Sequence, residues 1–329
     1  MSGPLLEVRD LKVHFPVRGG LLLRARGWNR AVDGVDLELH AHETLGLVGE
    51  SGCGKSTLGK ALLRLLEPTA GTIRFGGEEL TSRSRRAMKP LRPRIQMVFQ
   101  DPADSLNPRH RVREILEEPL VVHRRGDAAE RARRVRRLLD LVGLPADAAD
   151  RYPFEFSGGQ RQRIGIARAV ALAPELVVCD EPVSALDVSI QSQILNLLLD
   201  LQEELGLAYL FVAHDLAVVK HVSDRIAVMY LGRIVETGHA EPLYGRPAHP
   251  YTRALLEAVP VPEVPDPTRT PERRILTGEV PSPMAPPAGC AFHTRCPHAE
   301  ARCRQERPEL REIGRHEGVP HRVACHFDL

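Results

Sequence analysis

"LGLVGESGCGKSTLGKALLRLL", Leu45–Leu66, decides how this chain is read. An apolar run ends at Gly49, a glycine-rich loop follows, and a helix is predicted after it. Residues Gly49, Glu50, Ser51, Gly52, Cys53, Gly54, Lys55 and Ser56, with Thr57 behind them, fit G-x-x-x-x-G-K-[ST] in the context that pattern requires. The glycines let successive backbone N–H groups turn inward around phosphate, at the positive end of a helix. Lys55 is then placed to reach the β- and γ-phosphates, and the Ser56 hydroxyl to ligate Mg²⁺. A glycine-rich turn can arise with no ligand, but strand, loop and helix in this order argue against that.

A matching acidic strand end lies downstream in "ELVVCDE", Glu175–Glu181. Asp180 is expected to hold magnesium, directly or through water, and Glu181 to take a proton from the attacking water. Phosphoryl transfer is mostly positioning and charge stabilisation, so one carboxylate beside the water is what the chemistry asks for. An Asp-Glu pair after a strand is also an ordinary helix cap; the phosphate loop gives it its meaning.

Around these two stretches the chain alternates strand-like and helix-like segments, as in an α/β fold. "ETLGLVG", "IQMVFQ" and "AYLFVAHD" read as buried strands with polar ends, where open α/β sheets bind ligands. "LLEVRDLKVHF" and "AVDGVDLEL" alternate apolar and polar residues, predicting an antiparallel sheet as well. Residues 104–171 are helical and arginine-rich, an expected helical subdomain within a domain spanning 1–258. Nine prolines between Val259 and Ala288 predict a linker, 259–288. A cysteine-bearing extension, 289–329, follows it.

Composition narrows the class. Apolar residues make up 43% of 329, enough for a core, and the formal net charge of +2 creates no overall field for nucleic acid. No apolar run reaches the roughly 18 residues of a membrane span. "MSGPLLEVRD" lacks the basic start and apolar stretch of a secretory signal. A cytoplasmic location is expected, so disulfides are not.

Further motifs identify a family. "FSGGQRQRIGIARA" (Phe156–Ala169), "SALD" (Ser184–Asp187), "VAHD" ending in His214–Asp215, and Gln100 in "VFQDP" resemble the signature, D-loop, switch and Q-loop of ATP-binding-cassette (ABC) ATPases, in the family's order. Phe156 departs from the leucine many members carry. The resemblance covers about Leu5 to Val259 and implies a head-to-tail dimer that buries two ATPs. Ser157, Gly158, Gly159 and Gln160 open a helix and would face the γ-phosphate held by the partner's loop. It further implies that His214 senses the γ-phosphate, that Gln100 joins magnesium and water to the helical subdomain, and that Asp187 lies at the dimer seam. Phe15 stands where the family places an aromatic against adenine; it also reads as a core residue, and Trp28 is the rival stacker.

A single cassette without a membrane span favours a separate ATPase subunit. "FQDPADSLNPR" (Phe99–Arg109) and "PLYGRPAHPYTRALLEAVP" (Pro242–Pro260) resemble the oligopeptide/dipeptide importers. "PVRGGLLLRARGWNRAVDG" (Pro16–Gly34), read as an inserted hairpin or loop, resembles their second ATPase. The implied partners are another ABC ATPase in a heterodimer, two membrane permease subunits and an extracytoplasmic peptide-binding protein. The implied place is the cytoplasmic face of the membrane. Importers of nickel or other small solutes share this cassette. A soluble ABC protein acting on nucleic acid draws on the seven arginines of "RRGDAAERARRVRR" (Arg124–Arg137), which equally make a solvated helix. Intact Lys55, Asp180, Glu181 and His214 argue against an inactive regulatory subunit.

Six cysteines remain to be placed. Cys53 and Cys179 read as small packing residues. Cys290, Cys296, Cys303 and Cys325 are spaced poorly for zinc and match no common ferredoxin run. The tail resembles the C-terminal extension of peptide-importer ATPases, which implies that the four can ligate a structural [4Fe–4S] cluster. Zn²⁺, with His293 or His326, and unligated thiols stay open.

Overall fold

The computed structural model describes residues 3–19, 24–101, 105–258 and 278–328. Strands β1 (Leu6–Gly19), β2 (Arg24–Leu39) and β3 (Thr44–Val48) lead into α1 (Lys55–Leu62), β4 (Ala70–Phe75), β5 (Glu78–Glu79) and β6 (Ile95–Val98). Helices α2 (Val112–Val122), α3 (Ala128–Leu141) and α4 (Gly158–Val170) follow, then β7 (Leu176–Asp180), α5 (Val188–Leu205), β8 (Ala208–Ala213) and α6 (Leu216–Val222). The C-terminal part carries β9 (Arg225–Tyr230), β10 (Arg233–His239), α7 (Ala240–Gly245), α8 (Pro250–Glu257), α9 (Ala301–Gln305), β11 (Arg311–His316) and β12 (Val319–Val323).

The chain divides into two compact units, the first made mainly of Ser82–Val212 and the second of Leu6–Glu38, Leu45–Thr81 and the chain from Ala213 onward. In the first unit β6, β7 and β8 pair in parallel. β7 and β8 are buried at every position, which is why they read as unbroken apolar runs and not as alternation. Helices α2, α3 and α4 fall within the expected helical region 104–171, α4 packs on β6, and α5 packs on α4. α3 starts with a capping box: Asp127 accepts from the Glu130 N–H and Glu130 from the Asp127 N–H, both at 2.9 Å. Val135, Leu138 and Leu139 are its buried stripe. Its arginines find partners within the unit: Arg131 pairs with Glu117 at 2.7 Å and Arg137 with Glu204 at 3.4 Å. That is the solvated-helix reading of the arginine run.

In the second unit β2, β1, β4 and β5 form the expected antiparallel sheet, and β3 pairs in parallel with β9. Pro16–Gly34 forms the ends of the long strands β1 and β2 on either side of residues 20–23, which lie outside the described residues. The tail joins this unit by main-chain bonds: β12 pairs antiparallel with β10, Glu236 opposite Val323. Glu236, with no exposed surface, accepts from the Ala248 and His249 N–H groups at 2.8 and 2.9 Å and meets His321 at 2.7 Å. Of the expected linker, 259–277 lies outside the described residues; 278–288 is irregular, with the Pro283 carbonyl accepting from the Arg30 N–H at 3.2 Å. No helix among the described residues is long and apolar enough to cross a membrane.

Candidate nucleotide site and the thiol-bearing tail

In the second unit, β3 hands the chain to Gly49 and α1 begins at Lys55. Gly54 has φ 108°, and a Cβ there would stand 1.9 Å from the Ala31 carbonyl oxygen, so no L side chain fits. Lys55 is 4% exposed, and its Nζ donates to the carbonyl oxygens of Gly49 at 2.7 Å and Glu50 at 3.1 Å. An ammonium so deep needs acceptors, and the loop's own backbone provides them. Cys53 is buried and its thiol pKa is raised by that burial, so it is a packing residue and not a reactive one.

The outer side of the loop is held by residues that sequence reasoning did not connect to it. The Glu50 N–H donates to the Tyr251 hydroxyl oxygen at 2.7 Å, and both ends of the Arg295 guanidinium donate to the Glu50 carboxylate at 2.7 and 2.9 Å. The bond to Glu50 pushes the Arg295 pKa further up. Rings of Tyr230, Tyr251 and Phe292 meet behind it with centroids 4.7 to 5.4 Å apart. His249, whose Nδ1 accepts from the Tyr251 N–H at 3.1 Å, is held by burial at a pKa of about 4. Tyr251 lies in the stretch that marked the importer branch; that was the available signal.

In the same unit His214 is exposed, just after β8, and Asp215 accepts from the Ala217 N–H at 2.7 Å to start α6. Phe15 is 37% exposed and Trp28 49% exposed, so the core reading of Phe15 fails.

In the first unit, β7 carries Asp180, 3% exposed, and Glu181 follows with φ 46°. A non-glycine residue held there costs on the order of 1 kcal/mol or more, a strain that clusters at working sites. Its N–H donates to the Val212 carbonyl at 2.9 Å and its carbonyl accepts from the Ser184 hydroxyl at 3.1 Å, which fixes that backbone. The Gln100 side-chain amide donates to the Glu181 carboxylate at 3.3 Å, bringing together two of the predicted residues. Cys179, wholly buried beside Asp180, has its thiol pKa pushed far up and is inert.

Ser157 caps α4, accepting from the Gln160 N–H at 3.3 Å, while the Gln160 side chain accepts from the Ser157 N–H at 3.0 Å. A Cβ on Gly159 would meet Ile190 at 2.5 Å, so this glycine is required by packing against α5. Gln100, Gly158, Arg161 and Leu186 line one cleft of about 260 Å³. Asp187 is exposed at the start of α5, next to Val188 with 79% of its surface bare. Pro102, Ala103 and Asp104 of the quoted Phe99–Arg109 stretch lie outside the described residues.

In the tail Cys290, Cys296, Cys303 and Cys325 are all free thiols. The Cys290 N–H donates to the Cys303 carbonyl at 2.8 Å. Burial lifts the Cys290 thiol to about 11, and the charges of Cys303, Cys296 and Cys325 add to the effect. Cys296 and Cys325 are raised too, first by burial and then by their fellow thiols, which puts all four in one neighbourhood. His293 and His326 each set one ring nitrogen on a backbone carbonyl, at 2.8 and 3.0 Å. Among the described residues no group of three or more His, Cys, Asp or Glu is placed so that it could hold a metal ion. Four thiols are the kind and number of ligand an iron–sulfur centre takes, but as placed here they do not form a metal site.

Comparison with known proteins completes the picture. The family model for the ABC transporter matches residues 32–184, and that for the oligopeptide/dipeptide transporter C-terminal region matches 235–303. The chain is 53% identical to the oligopeptide transport ATP-binding protein AppF of Bacillus subtilis (strain 168), over 98% of this chain and 97% of that one. It is 52% identical to OppF of Escherichia coli (strain K12), covering 95% and 94%. Among solved structures it resembles cbiO1 of Clostridium perfringens, with TM-score 0.65, 27% identity and coverage of 74% and 92%. It also resembles the ATP-binding cassette MJ0796, a dimer in a post-hydrolysis state bound to ADP and Pi, with TM-score 0.64, 28% identity and coverage of 71% and 98%. The fold is that of an ABC ATPase, and the chain belongs to the ABC transporter ATP-binding proteins of the oligopeptide/dipeptide group.

Proposed function

We propose that this chain is the ATP-hydrolysing subunit of a peptide importer, working beneath membrane permease subunits. The observation that carries the reading is the phosphate loop, built in full around a buried Lys55, in a chain 53% identical to an oligopeptide transport ATP-binding protein over nearly its whole length.

Each predicted residue takes a role that its chemistry suits. The loop Gly49–Thr57 and Lys55 bind the triphosphate, and Phe15 stacks on adenine. Ser56, Gln100 and Asp180 offer hard oxygen donors of the kind magnesium prefers and would hold the ion, which would offset the phosphate charge. Glu181 accepts a proton as water attacks the γ-phosphorus and the bond to the ADP oxygen breaks. Gln100 aligns Glu181 and the water, and His214 contacts the γ-phosphate. Ser157, Gly158, Gly159 and Gln160 close on the nucleotide of a second ABC ATPase, with Asp187 at the seam, forming a heterodimer. The assembly sits on the cytoplasmic face of the membrane and takes peptides from an extracytoplasmic binding protein. Cys290, Cys296, Cys303 and Cys325 hold a [4Fe–4S] cluster that fastens the tail; zinc is the other occupant compatible with thiolates.

Reconstituting the chain with its partner ATPase, permeases and binding protein in liposomes tests this. ATP-dependent uptake of labelled di- and oligopeptides is expected. Uptake of nickel without peptide would move the cargo, and hydrolysis without any uptake would remove the importer reading. A brown protein absorbing near 400 nm after anaerobic purification is expected from the cluster; colourless protein with stoichiometric zinc would replace it.

A further inference from the structure

The phosphate loop is gripped from outside by Arg295, 245 residues away along the chain. Arg295 precedes Cys296 and lies inside the thiol run that begins at Cys290. Its side chain is 5% exposed and that of Glu50 is 26% exposed, so the pair is poorly screened on the arginine side. Every polar group of Glu50 is committed: its N–H to Tyr251, its carboxylate to Arg295 and its carbonyl to Lys55.

We propose that Arg295 is a positioning residue of the nucleotide site, through which the state of the tail's thiols sets how tightly the loop holds ATP. The proposal rests on the reading of Gly49–Thr57 as the ATP loop. Two physical effects act in the same direction. A loop already fixed in its phosphate-binding shape loses less freedom when the ligand arrives. A carboxylate beside an incoming triphosphate repels it unless a cation neutralises it, and the Arg295 fork does so. The path from the thiols is short. The Arg295 N–H donates to the Phe292 carbonyl at 3.0 Å, Phe292 packs on Tyr230 and Tyr251, and Cys290 is tied to Cys303 through the backbone. A change in bonding at the free thiols of Cys290 or Cys296 is therefore expected to reach the segment that carries the guanidinium.

The test is a titration of the full chain with trinitrophenyl-ATP. Arg295→Met should raise Kd about tenfold, within the range usual for coupled sites. Adding Glu50→Gln to it should weaken binding no further, because the stranded carboxylate has gone. Cys296→Ser should raise Kd when Arg295 is present and have no effect in the Arg295→Met background. Unchanged Kd in folded Arg295→Met, or equal Cys296→Ser effects in both backgrounds, would overturn the proposal. Should Arg295→Met fail to fold, Arg295→Lys keeps the charge without the fork and is expected to give an intermediate Kd; a wild-type value would count against the clamp. Wild-type protein that binds no trinitrophenyl-ATP would instead sink the ATP-loop reading, a distinct result.

Discussion

The two helix starts that we propose as anion sites are finished in opposite ways. The phosphate loop is closed: Lys55 is buried on its own backbone carbonyls, and Tyr251 and Arg295 hold the outer side at Glu50. The signature turn is open. Ser157 and Gln160 cap each other locally, and Asp187 and Val188 are exposed at the neighbouring helix start. A site that grips its ligand alone needs internal acceptors and a brace. A site that completes someone else's ligand needs a rigid shape and an uncovered face.

The largest effect should come from Glu181, the carboxylate to which we assign the proton transfer and which builds neither site. Glu181→Gln is expected to lower ATP hydrolysis by about 10²–10⁴-fold, the usual worth of a general base, with nucleotide binding retained. ATP-bound dimer should accumulate in size-exclusion chromatography; a monomer under those conditions would break the comparison at its open end.

Next comes pH, which should act on the closed site. His249 lies behind Tyr251 with its pKa held down to about 4 by burial, against 6.5 unperturbed. The unfolded chain therefore binds the extra proton between those values. Stability is fully present above pH 6.5 and falls towards pH 4, by on the order of 3 kcal/mol. His249→Asn replaces the capping ring nitrogen with a non-titrating oxygen acceptor and should flatten that part of the melting-temperature profile.

The smaller effects separate the two sites directly. Gly54→Ala forces a side chain against the Ala31 carbonyl and should weaken nucleotide binding by the isolated chain at least tenfold. Gly159→Ala strains the α4–α5 contact at Ile190, leaving binding by the isolated chain unchanged while lowering hydrolysis by the assembled pair about tenfold. Equal losses of binding in both variants would erase the distinction.

What was legible in the sequence was local. Strands β3, β6, β7 and β8 and the residues at their ends follow from apolar runs a few residues long, and the loop and signature turn carry their glycines in plain view. The arginine run resolved once its partners, Glu117 and Glu204, were known. The brace was hidden because Glu50, Tyr251 and Arg295 meet only through tertiary packing, and no periodicity links a loop to a residue in a distant thiol run. The φ of Glu181 was hidden for a related reason: the contacts to Val212 and Ser184 that impose it are not written in its neighbours' types. The exposure of Phe15 was equally unreadable, since a lone aromatic in an alternating strand fits either face.

The pairing of β12 with β10 has a consequence for chains that end early. Without the tail, the rim of the second unit's sheet would offer unsatisfied main-chain donors and acceptors around Val235–Thr237, beside a Glu236 stripped of its histidine partner. Naked rims of that kind recruit other strands. A subunit cut short by proteolysis or interrupted synthesis is thus expected to clump, and so to be withdrawn before it could occupy a permease unproductively.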